Sequence, residues 1–355
     1  MKKVIVLLIT FILIIALLAA CNNKGNQSIE TGQEISEDKE KELRGVQISR
    51  KNEKIEIEEF SHSPFSGKAI PEELLQRVIM VSIENSSAAR PQSGLNKAAI
   101  VYEFLVEGGI TRFLALYWDN IPQKIGPIRS VRPYIIDIAS EYNALLLHAG
   151  ASPEGFIKLQ DSKIKHLDQI YKGQYYWRDS ERKRPHNLYS GRFKVEDYLD
   201  ELTGQKYEDR FAWQGISLTN PEHANAKLIE IKYWGNYKVF YRYNKEENNY
   251  YRYINNTEEA HFTSSGEQIK VDNIIIQFTE THVKDDEGRL SIKLQGEGKA
   301  LVFKDGMLEE LYWHKDEAGI TKFFKEEDKE IRLNPGKTWI QIVPESTEVK
   351  YTKGE

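Results

Sequence analysis

Four arginines, Arg90, Arg112, Arg129 and Arg132, stand in short segments punctuated by glycine and proline. Their chemistry is anion recognition, because a planar guanidinium meets a phosphate or carboxylate through two parallel hydrogen bonds. Arg129 and Arg132 also lie just ahead of a predicted helix with Pro133 in its first turn. A helix start offers unpaired N–H groups and about half a positive charge. A second loop, Leu147-His148-Ala149-Gly150-Ala151-Ser152-Pro153, leads from a predicted strand into another helix start, a place where α/β sheets hold ligands. His148, Ser152 and His186 complete the candidate contacts to an anion. Glu84, Glu103, Glu107 and Asp137 are the acids that would instead pair with these arginines internally. A network left one acid short would itself be an anion site.

Catalytic patterns are weaker. A glycoside hydrolase needs two carboxyls about 5 to 9.5 Å apart, and a chain with 54 acids supplies such pairs by chance. Glu103, Glu107, Asp137, Glu154 and His148 are the best grouping for that chemistry. Gly150-Ala151-Ser152-Pro153-Glu154 departs from a nucleophile elbow at Glu154, where the tight turn needs glycine. Ser152 therefore reads as a helix cap. His186 has the chemistry of a general base or a phosphate contact, or of a loop residue bonded to backbone. The eight histidines include no His-x-x-x-His pair, and a single Cys excludes a cysteine cluster and an intrachain disulfide. No metal and no cofactor is expected. Pro335-Gly336-Lys337-Thr338 ends like a phosphate loop, but Ile331 occupies the position of its first glycine. Gly296-Glu297-Gly298-Lys299 is too short for a dinucleotide fingerprint.

The elements that must hold these residues fall into two rhythms. Arg77–Ile83, Ala98–Leu105, Arg112–Trp118 and Ala144–His148 are apolar runs bounded by turn residues, the pattern of strands covered on both faces. Helices are predicted over Ser130–Glu141, from Ser152-Pro153-Glu154 onward, and near Val195–Leu202. After Asn220-Pro221 the pattern turns to alternation, from Lys227–Tyr233 through Tyr237–Tyr243 and Tyr250–Ile254 to Thr338–Val343, which predicts antiparallel strands with polar turns. The expected class is α/β: an N-terminal mixed sheet covered by helices over 59–212, then a β-rich, mostly antiparallel domain over 213–355.

The chain begins Met1-Lys2-Lys3 and continues in an apolar run to Ala20, the layout of a secretory signal over residues 1–20. Leu18-Ala19-Ala20-Cys21 resembles a bacterial lipobox, which makes Cys21 the expected site of the diacylglycerol thioether and of palmitate. Two acyl chains give stable anchoring, so the expected location is the extracytoplasmic face of the cell membrane. Residues 21–58 read as the lipidated cysteine and a polar tether. The chain's 49 basic and 54 acidic residues leave a net charge of −5, which gives no global pull on nucleic acid, and none is expected as a partner. Arg178, Arg182, Lys183 and Arg184, beside Tyr175, Tyr176 and Trp177, suit an anionic envelope polymer or a lipid headgroup instead.

Longer motifs carry a family resemblance. They are Asn85–Leu95, Val101-Tyr102-Glu103, Val106–Phe113, Ile125–Tyr134, His148–Pro153, Pro185–Tyr189 and Asn334–Ile340. In these the chain resembles the YerB-like lipoproteins of Gram-positive bacteria. The resemblance implies a two-domain, membrane-anchored extracytoplasmic protein with an α/β N-terminal domain, and it implies no chemistry, since the family's function is unknown. The residues themselves favour a non-catalytic binding or accessory protein of the cell envelope with an arginine-lined anion site. A hydrolase or transferase acting on envelope glycans or polyanionic polymers is the first alternative, and a scaffold for an envelope protein partner is the second.

Overall fold

Runs such as Ile79–Glu84 and Thr111–Tyr117 have every side chain buried, which a strand can satisfy only at the centre of a sheet with both faces covered. The computed structural model supplies that sheet. It describes residues 46–51, 54–59, 61–70, 76–202, 204–215, 224–316, 319–325 and 329–352. The leader, Cys21 and most of the segment read as a tether lie outside the described residues. Of the latter, 46–51 and 54–59 form an antiparallel hairpin, β1 (Val46–Lys51) and β2 (Lys54–Glu59).

The central strands are β3 (Ile79–Glu84), β4 (Ile100–Leu105) and β5 (Thr111–Tyr117). Helix α1 (Pro133–Glu141) leads to β6 (Leu145–His148), and helix α2 (Pro153–Ser162) leads to β7 (His166–Asp168). Helix α3 (Arg192–Asp200) follows. Proline opens α1 and α2 where its missing N–H would have had no partner. The later strands are β8 (Leu228–Lys232), β9 (Lys238–Asn244), β10 (Asn249–Ile254), β11 (Lys270–Val271) and β12 (Asn273–Thr279). They continue with β13 (Gly296–Lys304), β14 (Met307–Lys315), β15 (Lys322–Phe324), β16 (Thr338–Pro344) and β17 (Glu348–Thr352).

Strands from both halves of the chain form one ten-stranded sheet, in the order β15-β14-β13-β12-β16-β4-β5-β3-β6-β7. The join is β16, which lies parallel to β12 on one side and parallel to β4 on the other. The mixed and antiparallel pairings expected for the two halves are both present, and β12 to β16 of the later half share this sheet with the strands of the earlier half. A second, five-stranded antiparallel sheet, β11-β10-β9-β8-β17, comes from the later residues.

Strand alternation decides which side chains meet. Phe104 and Tyr102 of β4 face α1: Phe104 packs on Tyr134, and Tyr102 and Tyr142 share a hydroxyl hydrogen bond of 2.7 Å. Glu103, between them, points to the opposite face, where the five-stranded sheet covers it. Among the described residues no helix is long and apolar enough to cross a membrane.

Candidate functional site

Glu84 at the end of β3 stands opposite Arg112 of β5, so both side chains lie on the face that carries α1. The segment leading into α1 runs along the end of β3: the Glu84 N–H donates to Pro127 O at 2.8 Å and the Arg129 N–H to Ser82 O at 2.9 Å. That path requires Gly126. Its φ is +147°, and a Cβ there would sit 2.7 Å from Leu188 O. Arg129, Ser130 and Arg132 are thereby laid across the ends of β3 and β5.

Two of the three guanidiniums in this place are filled by carboxylates in the same way. Arg129 donates through Nε and Nη2 to Glu84, at 2.7 and 3.1 Å. Arg132 donates through Nε and Nη2 to Glu107, with the Nη2 contact at 2.7 Å. Burial alone would raise both carboxyls. The hydrogen bonds from Arg129, His186 and Ser86 hold Glu84 below the usual carboxylate range, and those from Arg132 do the same for Glu107.

Arg112 differs. Its residue is 7% exposed, and only its Nη1 is engaged, donating to Ser130 O at 2.7 Å and more distantly to Ser130 Oγ. Its Nε is buried without a partner, and its Nη2 makes no hydrogen bond among the described residues. The Nε/Nη2 edge that Arg129 and Arg132 present to carboxylates is empty on Arg112. Burial, and then the charge of Arg132, pull this guanidinium down to about 10. Arg132 Nη1 also donates to Ser130 Oγ at 2.9 Å, so the serine hydroxyl accepts from the arginines and its own hydrogen points elsewhere.

His186 completes the cluster. Its Nδ1 lies 2.9 Å from both oxygens of Glu84, and since a carboxylate only accepts, Nδ1 is the donor there. The loop that brings it is tightly fastened. Arg182 donates to the carbonyls of Ala88, Arg90 and Pro91 and to the Tyr189 hydroxyl, and Asn187 donates to the carbonyls of Asp179 and Arg182. The short strand pair Trp177–Arg178 with Leu188–Tyr189 closes it.

Several residues expected at the anion site are elsewhere. His148 is fully buried with both ring nitrogens taken. Burial pulls its imidazole down to about 4, so at neutral pH it carries one proton. Gly150 O, at 2.9 Å, can only accept, which places that proton on Nδ1; Nε2 then accepts from His166 Nδ1 at 3.0 Å. Ser152 caps α2 by accepting from the Gly155 N–H at 3.2 Å. Asp137 pairs with Lys158 between α1 and α2.

Glu103 and Arg90 belong to the other face. Glu103 and Arg252 are both fully buried and pair at 2.9 Å, and Glu103 also accepts from Thr111, Asn85 and Tyr237. Arg252 Nε donates to His261 Nδ1 at 3.0 Å, leaving the His261 proton on Nε2, which donates to Gln92 at 2.9 Å. Arg90 bonds to Asn85 and lies over the Tyr237 ring. The correction follows from the period of a strand: Glu103 and Arg112 sit on adjacent strands but on opposite faces. With Glu103 sealed here, Asp137 on Lys158, Glu154 on Lys284 and His148 buried, the best grouping for glycoside hydrolysis is dispersed.

Comparison with known proteins places this arrangement in a family. Residues 65–208 match the N-terminal domain, and residues 229–340 the C-terminal domain, of a protein family of unknown function, DUF3048. A relative from Bacillus subtilis (strain 168), named "Putative lipoprotein YerB", is 31% identical over 308 residues, which is 82% of this chain and 89% of the relative. The crystal structure of YerB protein from Bacillus subtilis superposes with a TM-score of 0.73 at 28% identity, covering 82% of this chain and 99% of that one. The chain therefore belongs to the DUF3048 family of YerB-like proteins.

Proposed function

We propose that this protein is a lipid-anchored, non-catalytic binding or accessory protein on the extracytoplasmic face of the cell membrane, and that it takes an oxyanion at Arg112. The lipobox-like ending at Cys21 and the name of the Bacillus subtilis relative support the anchor. The observation that supports the site is the unfilled Nε/Nη2 edge of a guanidinium that is otherwise buried. Three arginines share two carboxylates, so the cluster is one acid short. A bound oxyanion would supply the third carboxylate-like partner and relieve an uncompensated buried charge.

The test is a thermal shift of the full chain in nonionic detergent, with phosphate, sulfate and simple carboxylates at two salt concentrations. Stabilisation that weakens with salt, and that is absent from an Arg112→Met chain folded like the wild type, is the expected result. A well-folded wild type that no anion stabilises would refute the site.

A further inference from the structure

A second set of cations, Arg178, Lys183 and Arg184, adjoins the first and makes no ion pair among the described residues; of the acids in the same loop, Asp179 is taken by Lys124. Among the described residues the Arg178 side chain donates only to the neutral side chain of Asn187, at 2.9 Å. Lys183 and Arg184 are exposed, and their side chains make no hydrogen bond or ion pair among the described residues. Arg178 feels the positive charges of Arg184 and Arg129, after burial, as the causes that lower it, so these three guanidiniums lie within electrostatic reach of one another. Of the three, only Arg129 is paired with a carboxylate, Glu84, which also takes His186. Counting Arg112, Arg129, Arg132, Arg178 and Arg184 against Glu84 and Glu107, the arginines of the row exceed its acids by three.

We infer that the ligand is a chain of phosphodiester groups, its first phosphate seated at Arg112 and Ser130 and the following ones along Arg129, Arg178 and Arg184. This rests on the anion reading of Arg112 and says which anion. A planar carboxylate matches one guanidinium edge, as Glu107 on Arg132 illustrates. The donors left over here approach from different directions: the Nε/Nη2 edge of Arg112 and the Ser130 hydroxyl. A tetrahedral phosphate presents oxygens to both. The excess of three charges, spread along a row, matches successive phosphates better than one headgroup.

The loop is also built to hold its cations in place. Four hydrogen bonds from Arg182 and two from Asn187 fix the segment between Arg178 and His186. A loop serving only solubility has no need of that fastening, whereas pre-organised cations bind a polyanion with less ordering cost. For a protein outside the cytoplasm the matching ligand is a polyol-phosphate polymer, which carries one negative charge per unit and no bases.

The experiment measures affinity of the full chain, in nonionic detergent, for four probes. They are orthophosphate, dihexanoyl phosphatidylglycerol, a short glycerol-phosphate oligomer and polyglutamate of equal charge. Wild type and an Arg178→Ala/Arg184→Ala chain are compared. The expected result is that the oligomer binds at least about tenfold more tightly than either single-phosphate probe and than polyglutamate. In the double variant the oligomer loses about tenfold or more, orthophosphate far less, and the slope of log affinity against log salt for the oligomer shrinks by about 1 to 2. Orthophosphate binding with no gain for the oligomer overturns the chain and leaves the Arg112 site standing. Equal binding of polyglutamate overturns the phosphate, and preference for the lipid makes a headgroup the ligand. If no probe binds the folded protein, the Arg112 reading falls with it.

Discussion

Replacing Arg112 by methionine should make the protein more stable, not less. Burial pulls this guanidinium down to about 10, and at about 1.4 kcal/mol for each tenfold change in proton affinity the charged form costs the folded state roughly 3 kcal/mol. The cost is fully present at neutral pH, where Arg112 is charged folded and unfolded alike, and it recedes only as pH climbs past about 10. Methionine fills a similar volume without charge. Against the gain stands the bond to Ser130 O, worth about 1 kcal/mol. Ser130 O keeps a second donor in the Ser82 hydroxyl, so it is not orphaned. The net expectation is a gain of about 1 to 2 kcal/mol, seen as a rise of a few degrees in melting temperature without added anion. Saturating phosphate should then narrow the gap by stabilising only the wild type. A fall of 2 kcal/mol or more in Arg112→Met would mean that the protein already satisfies this charge, and the argument for a missing anion would fail.

Arg252→Met should cost about 3 to 5 kcal/mol in urea melts, because it strands Glu103 as a buried unpaired charge, and adding Glu103→Gln should recover part of the loss. If the single variant costs under 1 kcal/mol, the pair is not the pin between the sheets that its burial implies. Stability should decline as pH falls from about 6.5 to about 4, since the unfolded chain takes up protons there while buried His148 does not. His261, held well below its ordinary value by burial and then by Arg252 and Arg90, adds to the decline. A His148→Gln chain should show a shallower fall over that window, and an unchanged profile would show that His148 protonates freely. Gly191→Ala should destabilise by about 2 kcal/mol or more, because a Cβ there would come within 2.0 Å of Gln123 O, a backbone atom that cannot step aside; a melting temperature within a degree of wild type would contradict that geometry.

Most of the secondary structure was readable because each element has a strong local cause. Continuous apolar runs give β3 to β6, and Ser-Pro or Arg-Pro openings give the helix starts. The arginines were readable as a type, and so was Glu107 as a partner. What no local pattern carries is the face on which a fully buried strand turns each residue. In an alternating strand polarity marks the side, but in Ile100–Leu105 every position is buried, so Glu103 gave no sign that it faces Arg252 and not Arg112. Arg252 itself had a signal: it stands at an inward position of β10, between Tyr250 and Ile254, where an apolar residue is the rule. The empty edge of Arg112 depends on how Ser130 and Arg132 converge on it, which is a tertiary fact.

The position of β16 bears on how the protein is made. Its neighbours β4 and β12 come from residues 100–105 and 273–279, yet β16 itself begins at residue 338. As the chain emerges from its N-terminus, β4 stands as an open edge, with unpaired N–H and C=O groups beside buried-type side chains, until nearly the last strand arrives. Such an edge is a template for pairing with another chain. Folding that closes over more than 200 residues of separation is slow and leaves that template exposed meanwhile. A stop codon anywhere before residue 338 would make the exposure permanent, so truncated products of this gene are natural targets for chaperones and proteases.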